Sequence, residues 1–230
     1  YFLSKNSNIN MNLERDQSSF DYERSMGGYN ENEYYKNKKL FLEKYFVGRY
    51  RSYNDFVKEH LLKKEKILSV GSGRCISELL LLNDGYNITC SDMEIPKCYE
   101  ASKKIFFNYK YKKLNILRDN LDQKFNSVIC FSMIYAFQKK ELEIFFEKIY
   151  NSLESNGILI IDPGGSEDNF FSLIYDKICL PMENYSVLLL YKLFGRQYFL
   201  FKKHQGYKFS NKELIQLAKK NGFELFQINE

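Results

Sequence analysis

The stretch that most constrains this chain covers residues 66–94, with the sequence KILSVGSGRCISELLLLNDGYNITCSDME. It predicts a short apolar strand, a glycine turn at 71–73, an apolar helix from Cys75, and a second strand that ends near Asp92. Glycines let a ligand approach the backbone, and the free N–H groups at the start of a helix attract polar groups. An acid after the next strand is placed to hold ribose hydroxyls. The stretch therefore predicts an α/β domain with a site for an adenosine-like ligand.

A dinucleotide is a poor match for this turn. The fingerprint G-x-G-x-x-G would require glycine at position 76, where the chain has Ile76. This substitution argues against NAD or FAD as the ligand and against a nicotinamide dehydrogenase. A tight strand-to-helix turn in another kind of α/β protein would have the same local pattern, so that alternative stays open on this stretch alone.

Composition narrows the class of protein. The chain has 230 residues, of which 44% are hydrophobic, enough for one α/β domain with an appendage. No apolar run approaches the roughly 20 residues that span a bilayer. The five cysteines form no C-x-x-C pair and there are only two histidines, so we expect neither a disulfide framework nor a metal site. This pattern favours a reduced, cytoplasmic location.

The charge is mildly positive and uneven. The net charge is +5, and residues 192–220 hold eight Lys or Arg against one acid, whereas residues 97–124 hold eight against three. The excess has two interpretations. It belongs either to ordinary solvated helix faces or, more specifically, to a positive rim around a site for an anionic acceptor. Nucleic-acid binding would call for a stronger basic excess or a known module, so we do not expect it. The sequence leaves the oligomeric state open.

Three segments together resemble the class I S-adenosylmethionine-dependent methyltransferases. Residues 69–75 (SVGSGRC) resemble motif I, D/E-x-G-x-G-x-G, with Ser69 in place of the acid and Cys75 in place of the third glycine. Residues 125–137 resemble motif IV, with Asn126 where Asp is usual. The amphipathic helix and strand of residues 141–162 resemble the segment that follows. The resemblance covers about residues 66–162 and 204–230.

The resemblance implies an architecture. We expect a Rossmann-like, seven-stranded, mostly parallel sheet flanked by helices, with an N-terminal helical lid and a helical insertion after the fifth strand. The expected segments are an arm and lid at 1–65, a cofactor-binding core at 66–165, an acceptor-site cap at 166–203, and the end of the core at 204–230. The third strand is predicted at 114–117, a left-handed cap at Gly157, and a late strand at 223–226.

The resemblance also implies a cofactor, S-adenosylmethionine, with S-adenosylhomocysteine as the product. Asp92 would hold the ribose, with Glu94 as the alternative. Asp119 would contact the adenine, with Asn115 as the alternative, although Asp119 also suits a turn and Met133 also suits core packing. The expected cofactor-binding residues are Ser69, Gly71, Ser72, Gly73, Asp92, Met93, Asp119, Ser132 and Met133.

The sequence says less about which residues bind the methyl acceptor and catalyse the transfer. Many family members have Glu-His after the motif IV strand, where this chain has Tyr135-Ala136, so no histidine acts there. His204 is then the better candidate for a base, because His60 lies on an apolar helix stripe and is expected to be structural. A phosphate-type oxygen would need no base. The expected catalytic residues are His204 and Tyr135, and the expected substrate-binding residues are Tyr29, Arg49, Tyr175, Arg196 and Tyr198.

These observations favour a small-molecule O-methyltransferase that acts on a sugar or a phosphate-containing precursor of a surface glycan, in polysaccharide biosynthesis. An RNA or protein methyltransferase is an alternative. A non-catalytic partner subunit with the same fold is another, because Ser69 and Cys75 depart from motif I.

Overall fold

The computed structural model describes residues 31–162 and 209–227. Five candidate residues and the expected cap at 166–203 lie outside the described residues. The five are Tyr29, Tyr175, Arg196, Tyr198 and His204.

The described chain begins with three helical segments, which are a 3-10 helix at Glu31–Lys36, α1 at Lys38–Tyr45 and α2 at Gly48–His60. This part of the described chain is therefore helical, and Phe46 and Val47 separate α1 from α2. Asn37 caps α1, because its side chain accepts a hydrogen bond from the Leu40 amide at 3.2 Å.

A parallel sheet forms the centre of the molecule. Its strands are β1 (Ile67–Val70), β2 (Ile88–Asp92), β3 (Lys110–Lys113), β4 (Phe125–Phe131) and β5 (Leu153–Asp162). Their spatial order is β3-β2-β1-β4-β5, and every neighbouring pair is parallel. The described residues therefore hold five strands of the expected seven.

Helices cover both faces of this sheet. They are α3 (Ile76–Asn83), α4 (Tyr99–Ile105), α5 (Lys139–Ser152) and α6 (Asn211–Lys220). Alternate residues of β1 point to opposite faces, so Ile67 joins one core with α1 to α4 while Leu68 joins another with α5 and α6. The α/β, Rossmann-like fold class is confirmed, since both faces of a parallel sheet are buried.

The third strand was predicted in the wrong place. β3 runs over Lys110–Lys113, whereas Leu114 and Ile116 lie in the following loop and are buried in the second core. Among the described strands β3 pairs with β2 alone, and an edge strand tolerates lysines because one of its borders faces water. The apolar run at 114–117 marked core packing rather than the strand itself.

Two further boundary predictions were wrong. α5 ends at Ser152 and β5 follows at once, with the positive φ of 63° at Asn156 rather than at Gly157. A Cβ at Gly157 would lie 2.9 Å from the Leu153 Cβ and 3.0 Å from the Asn126 carbonyl oxygen, so close packing explains this glycine. Residues 223–226 form no strand. α6 ends at Lys220, and the φ of 91° at Gly222 is in the left-handed region that follows many helix ends.

The strand order reverses between β1 and β4, which places a crevice at the carboxyl ends of these two strands. The glycine turn follows β1 at this crevice, and Ser132 and Met133 follow β4. None of the helices described for residues 31–162 and 209–227 is long and apolar enough to cross a membrane.

Candidate functional site

The glycine turn after β1 is held to β2 by Ser72. Its amide donates to the Ser91 carbonyl at 2.9 Å, and its hydroxyl donates to the Ser69 carbonyl at 3.1 Å and accepts from the Ser91 amide at 3.1 Å. Gly71 and Gly73 have φ values of 70° and 52°, in the left-handed region that favours glycine. The turn is therefore a fixed loop directly before the first turn of α3.

Asp92 lies against this turn at the end of β2. One carboxylate oxygen accepts from the Gly73 amide at 2.8 Å, and the other accepts from the Met93 amide at 2.7 Å. These two amides fix the plane of the carboxylate beside the turn. Strand pairing thus brings together Gly73 and Asp92, as the sequence predicted.

Gly71 has a second reason to be glycine. A Cβ there would lie 2.0 Å from the Met133 Sδ and 2.6 Å from its Cγ. The Met133 side chain therefore packs directly over the turn, and it also contacts the second core. Core packing explains Gly71 and Met133 by itself, so the pairing of Gly73 with Asp92 is the stronger indication of a ligand.

An acid that sequence reasoning missed lies beside Ser69. Ser69 is 1% exposed and its hydroxyl donates to the Glu78 Oε1 at 2.6 Å, while Glu78, in the first turn of α3, is 4% exposed. Burial raises the pKa of Glu78 from 4.5 to about 7, although the Ser69 hydrogen bond lowers it. The carboxyl group that motif I usually carries at position 69 is thus present next to that position, supplied by the helix.

A second polar cluster lies at the ends of β4 and β5. The Ser132 hydroxyl donates to the Asp162 Oδ2 at 2.9 Å, and the Tyr53 hydroxyl, from α2, donates to the same oxygen. The Tyr53 ring stacks on Phe131, with centroids 4.4 Å apart and planes 5° apart. Burial, and then the hydrogen bond to Asp162, raise the pKa of Tyr53 to about 12.

Arg49 and Tyr135 border this cluster. The Arg49 guanidinium donates to the Tyr50 hydroxyl at 3.2 Å, and Asp162 is among the groups that raise its pKa. Burial raises the pKa of Tyr135, with Asp162 and Asp92 both adding to the shift. Tyr135 is therefore within electrostatic range of the cluster and of the glycine turn.

The remaining residues that the sequence analysis considered have hydrogen-bond or ion-pair partners within the described chain. Asp119 accepts from the Asn115 amide at 2.8 Å, and the Asn115 side chain accepts from the Leu117 amide at 3.1 Å, as in a turn. The exposed Glu94 pairs with Lys113 at 2.9 Å. The Nδ1–H of His60 donates to the Phe56 carbonyl at 2.8 Å, and its Nε2 lies 2.8 Å from the Oε1 of Gln227. The adenine role of Asp119 stays a prediction.

Sequence reasoning missed Tyr53, Asp162 and Glu78 as site residues. Asp162 had a readable signal, because it ends a strand as Asp92 does. Glu78 had one too, as the single acid in the apolar helix ISELLLLN. Tyr53 had none, since its sequence neighbourhood is that of any helix. Within the described residues no group of His, Cys, Asp and Glu is arranged to hold a metal ion.

Comparison with known proteins supports the fold. No protein-family model matches the chain. A TehB-like SAM-dependent methyltransferase from Corynebacterium glutamicum matches 85% of this chain and 84% of its own, with 14% identity and a TM-score of 0.54. The sugar N-methyltransferase KedS8 from a Streptoalloteichus species matches 58% of this chain, with 21% identity and a TM-score of 0.45.

The glycopeptide N-methyltransferase MtfA matches 54% of this chain, with 12% identity and a TM-score of 0.44. This chain spans 59% of the length of MtfA and 56% of that of KedS8. The likeness to the Corynebacterium glutamicum protein extends over most of both chains. The chain therefore has the Rossmann-like fold of the class I S-adenosylmethionine-dependent methyltransferases.

Proposed function

We propose that this protein transfers a methyl group from S-adenosylmethionine to an oxygen atom of a small-molecule acceptor, such as a sugar or a phosphate-containing precursor of a surface glycan. The observation that carries the proposal is the Asp92 carboxylate held against the Gly73 amide at 2.8 Å, beside a glycine turn at the switch point of the sheet. The SAM-dependent methyltransferase from Corynebacterium glutamicum shares this fold.

The residues present fit an adenosine-like group. Gly73 adds no side chain next to Asp92, so a ligand can approach the backbone, and Asp92 offers carboxylate oxygens for ribose hydroxyls. Ser69, Ser72 and Met93 line the same turn, and Glu78 gives the site a carboxyl group near the position where motif I has one. Asp119 remains the candidate for the adenine, and Ser132 and Met133 close the side formed by β4.

When bound, S-adenosylmethionine supplies an activated methyl group on a sulfonium sulfur. The protein then has to place the acceptor in line with that group and exclude water. Tyr135 and Arg49 are our candidates for the acceptor side, because Asp162 influences both electrostatically, and Arg49 would attract an anionic part of the acceptor. The buried thiols of Cys75, Cys90, Cys98 and Cys130 are free, which favours a cytoplasmic location for the reaction.

The test is calorimetric titration with S-adenosylhomocysteine. Wild-type protein should bind with a micromolar Kd, and Asp92→Asn should weaken binding by about tenfold or more, because hydrogen bonds to a charged group contribute about 1.5–3 kcal/mol. Asp122→Asn is the matched control, since this substitution makes the same chemical change at a side chain that is 85% exposed.

Asp92→Asn also removes an acceptor for one backbone amide, so its folding has to be checked. Thermal unfolding of each variant without ligand makes this check, and we expect Asp92→Asn to be folded. Absence of binding by the folded wild-type protein would contradict the proposal and would favour a non-catalytic partner subunit with the same fold.

A further inference from the structure

We infer that Asp162 is the catalytic base of this site and that Tyr53 and Ser132 position it, so that the reacting atom of the acceptor is a hydroxyl oxygen that carries a proton. This inference rests on the proposed function and makes it more specific. It assigns a role to two residues, Tyr53 and Asp162, that the sequence did not indicate as part of a site.

The arrangement converges on one oxygen atom. Tyr53 from α2 and Ser132 from the end of β4 both donate to the Oδ2 of Asp162, at the end of β5. Their own hydroxyl oxygens are 3.3 Å apart. Three segments that are distant in the sequence thus meet at one carboxylate, and the two donors fix its orientation.

The two hydroxyl donors, Tyr53 and Ser132, are themselves fixed by neighbouring groups. The Tyr53 ring is stacked on Phe131 at 4.4 Å, which fixes the direction of its hydroxyl. Ser132 has a φ of 52°, a conformation that non-glycine residues adopt rarely and that is over-represented at functional sites. The Ser132 amide donates to the Asp162 carbonyl at 3.2 Å, which ties the two strand ends together.

The cluster borders the glycine turn. Met133 follows Ser132 directly, and its side chain packs over Gly71. The Tyr135 hydroxyl is influenced by Asp162 and by Asp92, so it is within electrostatic range of both carboxylates. A methyl group presented above the glycine turn would therefore have the Asp162 cluster on its β4 and β5 side.

Proton chemistry distinguishes the members of the cluster. Tyr53 keeps its proton, because its pKa is raised to about 12, and therefore acts as a donor over the physiological range. The carboxylate of Asp162 accepts from both hydroxyls, and a carboxylate has about four acceptor positions. Among the described residues, the titratable groups that Asp162 influences include Arg49 and Tyr53 from α2, Cys130 of β4 and Tyr135 after β4.

The acceptor oxygen forms a bond to the methyl carbon while the carbon–sulfur bond breaks, and the electron pair of that bond stays on sulfur. The acceptor proton passes to the Asp162 carboxylate. A phosphate oxygen has no such proton to give and would be repelled by this carboxylate, which is why the cluster favours a hydroxyl.

The experiment uses two ligands, so that it does not depend on the identity of the acceptor. S-adenosylhomocysteine has no group in place of the methyl, whereas sinefungin has an amine there, which would face a carboxylate on the acceptor side. Calorimetry gives the ratio of the two dissociation constants for wild type, Asp162→Asn, Tyr53→Phe, Ser132→Ala and the exposed control Asp122→Asn. Measuring the ratio from pH 6 to 8.5 shows whether it follows the charge of the amine.

We expect wild type and Asp122→Asn to prefer sinefungin by about tenfold, and Asp162→Asn to lose this preference with an unchanged Kd for S-adenosylhomocysteine. Tyr53→Phe keeps the ring on Phe131, and it and Ser132→Ala should reduce the ratio several-fold. If Asp162→Asn leaves the ratio unchanged, Asp162 does not face the methyl position and the inference is overturned.

A lower melting temperature for Tyr53→Phe with an unchanged ratio would show that Tyr53 only attaches α2 to the sheet, which overturns its positioning role. Failure of the folded wild type to bind S-adenosylhomocysteine would instead contradict the proposed function itself, and the assignment of Asp162 with it.

Discussion

Replacing Glu78 with glutamine should remove a loss of stability that the wild type suffers as the pH rises. Glu78 is 4% exposed, and its pKa is raised by burial from 4.5 to about 7. Because the folded-state pKa lies above the unfolded one, its contribution to stability is fully present below about pH 4.5 and is lost as the pH rises through about 7. This difference between the folded-state and unfolded-state pKa corresponds to about 3 kcal/mol in the free energy of unfolding.

Urea unfolding at pH 5, 6, 7 and 8 measures this effect. The difference between wild type and Glu78→Gln cancels the titration of the other groups, and glutamine can still accept the Ser69 hydrogen bond. We expect the two proteins to agree within about 1 kcal/mol at pH 5 and Glu78→Gln to be more stable by about 2–3 kcal/mol at pH 8. Glu147→Gln, on the exposed face of α5, is the matched control for the loss of a carboxyl group.

A difference between wild type and Glu78→Gln that stays constant from pH 5 to 8 would refute the reasoning. It would mean that the carboxyl group titrates equally in the folded and unfolded states, as it would if water reached it. Equal stability at every pH would have the same consequence, because the buried charge would then have no measurable cost.

Three further changes have expected outcomes. Ser69→Ala should move the pH-dependent loss of stability to higher pH in the same urea series, because the hydrogen bond that lowers the Glu78 pKa is removed. Gly71→Ala should destabilise the protein by about 1–3 kcal/mol in thermal unfolding, because it combines a φ of 70° with a Cβ 2.0 Å from the Met133 Sδ. Adding Met133→Ala should restore part of this loss but not the part due to φ. Ser210→Ala should cost about 1 kcal/mol by urea unfolding, since the Ser210 hydroxyl caps α6 by accepting from the Glu213 amide at 3.2 Å.

The elements that the sequence predicted well are those in which local pattern and tertiary burial agree. The strand, turn and helix around Gly71 and Gly73 combine an apolar run, special φ values and an apolar helix, and each points to the same structure. The third strand was predicted in the wrong place because the apolar pattern and the strand do not coincide there. The lysines of β3 form backbone hydrogen bonds at the sheet edge, whereas the apolar residues after it fill the core from a loop.

The candidate site shows the same division. Asp92 could be predicted because it is close in sequence to the turn that it supports. The contact of Tyr53 with Asp162 could not be predicted, because it joins residues 109 positions apart through the packing of α2 on the sheet. Glu78 lies between these cases, since a lone acid in an apolar helix signals a buried partner without saying which residue it is.

The packing of α2 determines how the acceptor side can be tested. Val57 and Asn54 of this helix are 0% exposed, and the Asn54 side chain donates to the Ser77 carbonyl at 3.3 Å, in the first turn of α3. The helix that carries Tyr53 is thereby fastened to the helix that carries Glu78, one residue after Ser77. Deleting the N-terminal helices would expose the core and remove Tyr53 at once, so a loss of activity would have two explanations. Tyr53→Phe keeps the ring and the helix while it removes the hydroxyl, and for that reason it can separate the role of the hydroxyl from the stability of the fold.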